Sequence, residues 1–198
     1  MVMQEMIGLA DKTRKPKHGR EEEQEESGRL DAYYTLQSLV VVLVALVLVF
    51  TFLGRLIMVD GSSMVPTLLN GEMMVVRSLG YEPEQGDIVV LTQESFMEDA
   101  IVKRVIAKGG QSVKIDYDAG TVTVDGIVLD EPYLNETMEP CGDVTSITVP
   151  EGCLFVMGDN RNVSADSRYS YVGVIDERRV IGQAVAVIFP FRDFELLV

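Results

Sequence analysis

One histidine, two cysteines and no tryptophan in 198 residues remove several kinds of chemistry before any motif is read. The histidine, His18, lies in a polar N-terminal stretch ahead of a long apolar run. A Ser-His-Asp triad, a Cys-His pair and a histidine-based metal site are therefore excluded from the rest of the chain. Cys141 and Cys153 are too few for a disulfide scaffold and lack the companions a zinc site needs, so no metal is expected. The two bracket "GDVTSITVPEG", a segment able to fold back on itself, and are read as one bridge or two separate thiols. Basic clusters are also missing beyond residue 31, and the formal net charge is -14. Phosphate contacts need clustered Lys and Arg, so nucleic acid is not an expected partner.

The apolar run is what the chain has in excess. "LQSLVVVLVALVLVFTFLGR" carries no charge from Leu36 to Leu53. A helix over that stretch covers about 27 Å at ~1.5 Å per residue, close to the roughly 30 Å hydrocarbon core of a bilayer. A cleavable leader would have a shorter apolar region ending in a small-x-small site, which "FTFLGRLIMVDG" does not offer. The expected organisation is a disordered cytoplasmic tail over residues 1–35, a transmembrane anchor over 36–57 and an extracytoplasmic domain over 58–198. The excess of Lys and Arg on the N-terminal side of the run sets the orientation, with the N-terminus inside. A lipid bilayer is thus an expected partner, and the chain an expected single-pass protein of the cell membrane.

Beyond the run the period changes to about two. "MVVR", "DIVVLTQ", "AIVKRVIA", "SITV", "CLFVMG" and "QAVAVIF" are short and rich in Val and Ile, with turn pairs such as Gln85-Gly86 and Asp125-Gly126 between them. The domain is expected to be mostly β. Val113 to Leu129 reads as consecutive hairpins, with Val113, Ile115 and Tyr117 on one face and Lys114 and Asp116 on the other.

Three stretches carry candidate chemistry. "GSSMVPTL" places two serines beside a Pro-Thr turn, and a serine needs a base to become a nucleophile. With histidine excluded, lysine remains, provided burial lowers its pKa toward roughly 7 to 8. Of the three lysines that follow the anchor, Lys108 precedes a Gly-Gly turn and Lys114 lies on a polar face. Lys103 shares a strand face with Ile101 and Val105, while Arg104 turns to the other with Val102 and Ile106. The same pattern also fits a lysine that snorkels at a strand edge. "GDNRNVSADSR", Gly158 to Arg168, is either a plain polar loop or a source of a hydroxyl, Ser164, and an opposite-charge pair, Asp166 and Arg168.

Taken in order, "SMVPTL" at Ser63, "GDIVVL" at Gly86, "VKRVIAKGG" at Lys103 and "GDNRNVSADSR" at Gly158 resemble the bacterial type I signal peptidases, membrane-bound Ser-Lys proteases. The resemblance covers roughly residues 36 to 198. It implies a serine endopeptidase with Ser63 as nucleophile and Lys103 as general base, with no cofactor. Ser164 would hydrogen-bond the lysine, and Asp166 and Arg168 would brace the site. Substrates would be signal peptides of exported preproteins, cut after small residues as in Ala-x-Ala, with Val59, Met64, Leu68, Ile101 and Val102 lining the pockets.

Two departures stand out. Gly61 occupies the position where some members carry an oxyanion-assisting hydroxyl, leaving the Ser63 N–H as the identified donor. Asn162 and Val163 replace the common Asp and Asn, which puts the local hydrogen bonds in question. The short spacing from Gly110 to Gly158 leaves no room for the large inserted β domain of some relatives. Ser63 follows the anchor closely, so the site is expected near the outer membrane surface.

Overall fold

The computed structural model describes residues 17–52, 54–93 and 97–197. The chain divides into two compact units at Leu48. The first is built on one helix, α1, Lys17–Phe52. Within it Gly28–Leu48 is long and apolar enough to cross a membrane. Its side chains from Gly28 to Leu48 are all exposed, as expected of a helix that is apolar on every side and has lipid for solvent.

The helix starts earlier and ends sooner than the sequence reading expects. From Lys17 to Tyr34 the chain is helical rather than disordered. That stretch is rich in Glu, Gln and Arg, which favour helix, and an adjoining helix removes the cost of nucleation. At the other end Arg55–Met58 forms strand β1 instead of continuing the anchor to residue 57. Its residues pair antiparallel with β2, Met73–Arg77, from Arg55 opposite Val76 to Met58 opposite Met73.

The second unit is β throughout. The larger sheet adds β3 (Ile88–Gln93), β4 (Met97–Lys108), β9 (Cys153–Met157), β10 (Ile175–Asp176), β11 (Val180–Phe189) and β12 (Glu195–Leu196). Its order is β1-β2-β11-β3-β4-β9-β10, with β12 on β11. The smaller sheet runs β7-β6-β5-β8, from β5 (Ser112–Asp116), β6 (Thr121–Val124), β7 (Ile127–Val128) and β8 (Ser146–Thr148). The expected hairpins are present. Val113 and Ile115 are buried while Lys114 and Asp116 are exposed. The Asp125-Gly126 turn places both residues at positive φ, 51° and 83°, the conformation a tight two-residue hairpin requires.

Strand β4 positions the site. It lies between β3 and β9, and its pairing with β9 shifts register between Val105 and Ala107. Strand alternation puts Val105 in one core with Leu91 and Val156 and Ile106 in another with Val113 and Phe155, and the bulge keeps Ala107 in the same core as Ile106. A third cluster, including Val59, Met64, Leu68, Met74 and Ile88, underlies the loop that leaves β1.

Candidate active site

The loop after β1 is pinned at both ends. The Gly71 N–H donates to the Val59 carbonyl and the Val59 N–H to the Glu72 carbonyl, both at 2.8 Å. Gly61 has a φ of 98°, and its N–H donates to Asn70 Oδ1 at 2.8 Å. Met64 and Leu68 are buried beneath, and the Leu68 N–H donates to the Met64 carbonyl. This turn leaves Ser63 half-buried with its hydroxyl free to face β4.

There it meets Lys103. The lysine is 4% exposed, so the reading of a snorkelling side chain is set aside. Its Nζ donates to Ser63 Oγ at 2.7 Å and to its own strand's Val102 carbonyl at 3.1 Å. Burial pushes the ammonium pKa down to about 8; Asp166 and Asp159 pull it up, and Arg168 pushes it further down. A neutral amine is thus accessible near neutral pH.

The Gly158–Arg168 loop closes the back of the site. Asn160 donates its N–H to the Ser63 carbonyl at 3.0 Å and its Nδ2 to the Ser62 carbonyl at 3.1 Å. Gly158 packs so closely that a Cβ there would collide with the Ser63 carbonyl and the Ser164 hydroxyl. The Gly158 N–H donates to Asp166 Oδ2 at 3.0 Å, and Asp166 is held by Arg168 Nε at 2.8 Å with both side chains fully buried. Asp166 and Arg168 therefore brace the loop that touches Ser63.

Two expected placements differ. Ser164 is buried, but its Oγ has no hydrogen-bond partner, so the expected bond to Lys103 is not formed. The hydroxyl lies against Gly158 instead, and the lysine takes its second partner from its own strand. Leu68 does not line the cleft beside Ser63; it is fully buried in the core below it. The other four expected residues, Val59, Met64, Ile101 and Val102, do line that cleft, which encloses about 230 Å³. Asp60, Val163 and Ala165 also line it and were not anticipated.

A second network was also missed. Arg104 grips Asp159 through Nε and Nη2, at 2.8 and 2.6 Å, and lies over the Tyr133 ring at 3.9 Å. Thr67 Oγ1 donates to the same carboxylate at 2.5 Å. Asp159 thereby ties the loop carrying Ser63, the strand carrying Lys103 and the polar loop together. The signal was Arg104 itself, a charge on a strand with apolar neighbours on both sides. Asn162 answers its own question: its Oδ1 accepts the Glu139 N–H at 2.8 Å and its Nδ2 donates to the Thr137 carbonyl at 3.1 Å.

Cys141 and Cys153 are both free thiols. Cys153 sits in β9 packed against the apolar cluster around Phe155, whereas the Cys141 sulfur faces Arg168. Among the described residues no group of His, Cys, Asp and Glu side chains is arranged to hold a metal ion.

This geometry coincides with similarity over most of the chain. Residues 32–189 match the family model described as "Signal peptidase, peptidase S26". Signal peptidase I of Bacillus amyloliquefaciens is 38% identical over 175 residues, covering 82% of this chain and 89% of that protein. Signal peptidase I T of Bacillus subtilis (strain 168) is 36% identical, with 79% and 85% covered. Signal peptidase IB of Staphylococcus aureus is 34% identical, with 80% and 90% covered. A solved signal peptidase I from Enterococcus faecalis V583 is 30% identical, covers 52% of this chain and 97% of its own, and superposes with a TM-score of 0.44. With the matched segment running from within α1 through β11, the chain belongs to the signal peptidase family, peptidase S26.

Proposed function

We propose that this signal peptidase is a serine endopeptidase that works by a Ser63–Lys103 pair and removes signal peptides from exported preproteins. The observation that carries the reading is the 2.7 Å approach of a buried lysine amine to a serine hydroxyl at the wall of a cleft. In the reactive state the amine is neutral and accepts the Ser63 proton as the oxygen attacks the scissile carbonyl. The oxyanion that forms is met by the Ser63 N–H. The protonated Lys103 then gives its proton to the leaving amine, freeing the mature protein's N-terminus. A water deprotonated by the same lysine hydrolyses the acyl-enzyme. Asp166 and Arg168 keep the supporting loop in register, and within it Ser164 packs against Gly158.

The substrate binds as an extended strand between the Val59–Ser63 segment and Ile101–Lys103. Alternate side chains of a strand point into the surface, so the first and third residues before the cut enter the cleft and the second points away. Val59, Met64, Ile101 and Val102 narrow that space to small side chains, which favours Ala-x-Ala. Relatives named signal peptidase I support this substrate class. The apolar helix supports a membrane anchor, and the excess of Lys and Arg ahead of it is the ground for placing the N-terminus inside and the β unit outside. Cleavage of a preprotein by the purified full chain in detergent, lost in Ser63→Ala and in Lys103→Ala while both variants stay folded, tests the reading. Retained cleavage in either variant would reject it.

A further inference from the structure

Arg168 is fully buried, and a guanidinium has five N–H groups to satisfy. Nε and Nη2 serve Asp166, at 2.8 and 2.9 Å. Nη2 also reaches the carbonyls of Arg161 and Ser164, at 2.6 and 3.2 Å. Nη1 has a different partner, the sulfur of Cys141, at 2.9 Å. The Cys141 thiol in turn donates to the Arg161 carbonyl at 3.7 Å. Sulfur therefore acts here as both acceptor and donor.

The residues after Cys141 hold the backbone of the same arginine. The N–H groups of Asp143 and Val144 both donate to the Arg168 carbonyl at 3.0 Å. Gly142, at a φ of 85°, lies so near that an added Cβ would sit 2.6 Å from the Arg168 carbonyl oxygen. Asp143 accepts the Ser170 N–H at 2.7 Å and also the Ser170 hydroxyl. Residues 141–144 thus form a clasp around Arg168, remote in sequence from both Ser63 and Lys103.

We propose that Cys141 is a positioning residue for proteolysis: its sulfur seats the Arg168 guanidinium, and through Arg168 and Asp166 it sets the loop that packs Gly158 and Ser164 against Ser63 and Lys103. The inference rests on the Ser63–Lys103 assignment. Each link is a contact already described: sulfur to Arg168, Arg168 to Asp166, Asp166 to the Gly158 N–H, Gly158 to the Ser63 carbonyl. Removing the sulfur orphans a buried guanidinium N–H, and such a group regains a partner only by moving. The charges facing Lys103 are Asp166 and Asp159, which raise its pKa, and Arg168, which lowers it. Its hydroxyl neighbour is Ser63 and its carbonyl neighbour Val102. An Arg168 that withdraws leaves Asp166 less neutralised, so the lysine holds its proton to higher pH.

The test is kcat and KM for one preprotein across pH, with full-length chain in detergent. Cys141→Val fills the sulfur's volume without either hydrogen bond, whereas Cys141→Ser keeps a donor and an acceptor. The valine variant is expected to lower kcat at neutral pH by roughly 10-fold with KM little changed, and to move the acidic midpoint alkaline. The serine variant should recover most of both. Gly142→Ala, which disturbs the clasp through its backbone, should shift the midpoint in the same direction. Cys153→Ala serves as the thiol control and should behave as the native chain.

A valine variant with native kcat and midpoint overturns the proposal. So does a serine variant as impaired as valine, or a Cys153→Ala chain with the same alkaline shift. If the native chain shows no acidic limb, the lysine assignment fails separately. The valine-to-serine comparison at a single pH still decides the role of Cys141.

Discussion

Arg104 and Asp159 form a two-pronged ion pair, 2.8 and 2.6 Å, between the residue after the lysine and the residue after Gly158. The Asp159 side chain is fully buried and that of Arg104 is 11% exposed, so breaking the pair strands a charge away from water. Asp159→Ala is expected to cost about 3–5 kcal/mol of stability, as loss of one partner of a buried pair does. It also frees Thr67 and loosens the nucleophile loop. Urea unfolding checks the first effect and kcat/KM the second; a loss under about 1 kcal/mol would place the pair among surface ion pairs.

Activity should follow the deprotonation of Lys103. Its pKa, lowered by burial to about 8, makes the neutral base scarce at pH 6 and dominant above pH 9. The rate should therefore climb about tenfold per pH unit on the acidic side and level off beyond the midpoint. Lys103→Arg should be inactive throughout, because a guanidinium keeps its proton. A kcat/KM that stays flat from about pH 5 to 9 would remove lysine as the base.

The same burial has a stability cost with a definite sign. The folded chain holds Lys103 at about 8 against an ordinary 10.5, so folding disfavours the charged form. The penalty is fully present below pH 8, shrinks as pH rises to the unfolded value and is absent above it. Lys103→Met should be inactive yet gain stability relative to the native chain at pH 7, by about 2 to 3 kcal/mol. The gain should fade toward pH 11. Thermal unfolding of both chains across that range decides it; a stability difference independent of pH would contradict the burial argument.

Gly158→Ala tests the close contact behind the nucleophile. The added Cβ meets the Ser63 carbonyl and Ser164, and the carbonyl belongs to a backbone that cannot step aside without moving the nucleophile. The expected result is a loss of kcat of two or more orders of magnitude, about what a misplacement near 1 Å costs. The Gly126→Ala control has open space around its Cβ, although its positive φ of 83° leaves backbone strain. It should lose stability while keeping kcat.

The cleft should read side-chain size. If Val59, Met64, Ile101 and Val102, which line the cleft, set the proposed preference for small residues, forcing in extra methylenes costs about 1–3 kcal/mol. For one preprotein with Ala, Leu or Phe before the cut, kcat/KM should fall by roughly 5- to 150-fold from Ala to the larger residues. Equal values for all three would mean the cleft does not select.

Much of the site was legible because its chemistry is exclusive. With His18 the single histidine, and with Lys108 and Lys114 in polar surroundings, elimination and strand alternation left Lys103 as either a candidate base or a snorkelling lysine, and the resemblance carried by the four motifs implied the first. The β unit and its hairpins followed from two-residue periodicity, which reports directly on burial across a sheet. The ends of α1 were less legible, since the polar stretch before the apolar run and the step into β1 depend on neighbours that a local pattern does not contain.

The sequence by itself determined the apolar helix and the β class, because composition and periodicity act locally, while its four motifs made Ser63 and Lys103 candidates through their resemblance to a family. The Asp166–Arg168 pair was legible in the sequence, whereas only the tertiary structure decided that Asp159 pairs with Arg104, through strand register and loop closure. It likewise turned Ser164 toward Gly158, withdrew Leu68 into the core and set Cys141 against Arg168 instead of Cys153. Each of these is a contact between segments far apart in the chain, and its partner is chosen by which unsatisfied polar group or cavity the fold brings within reach.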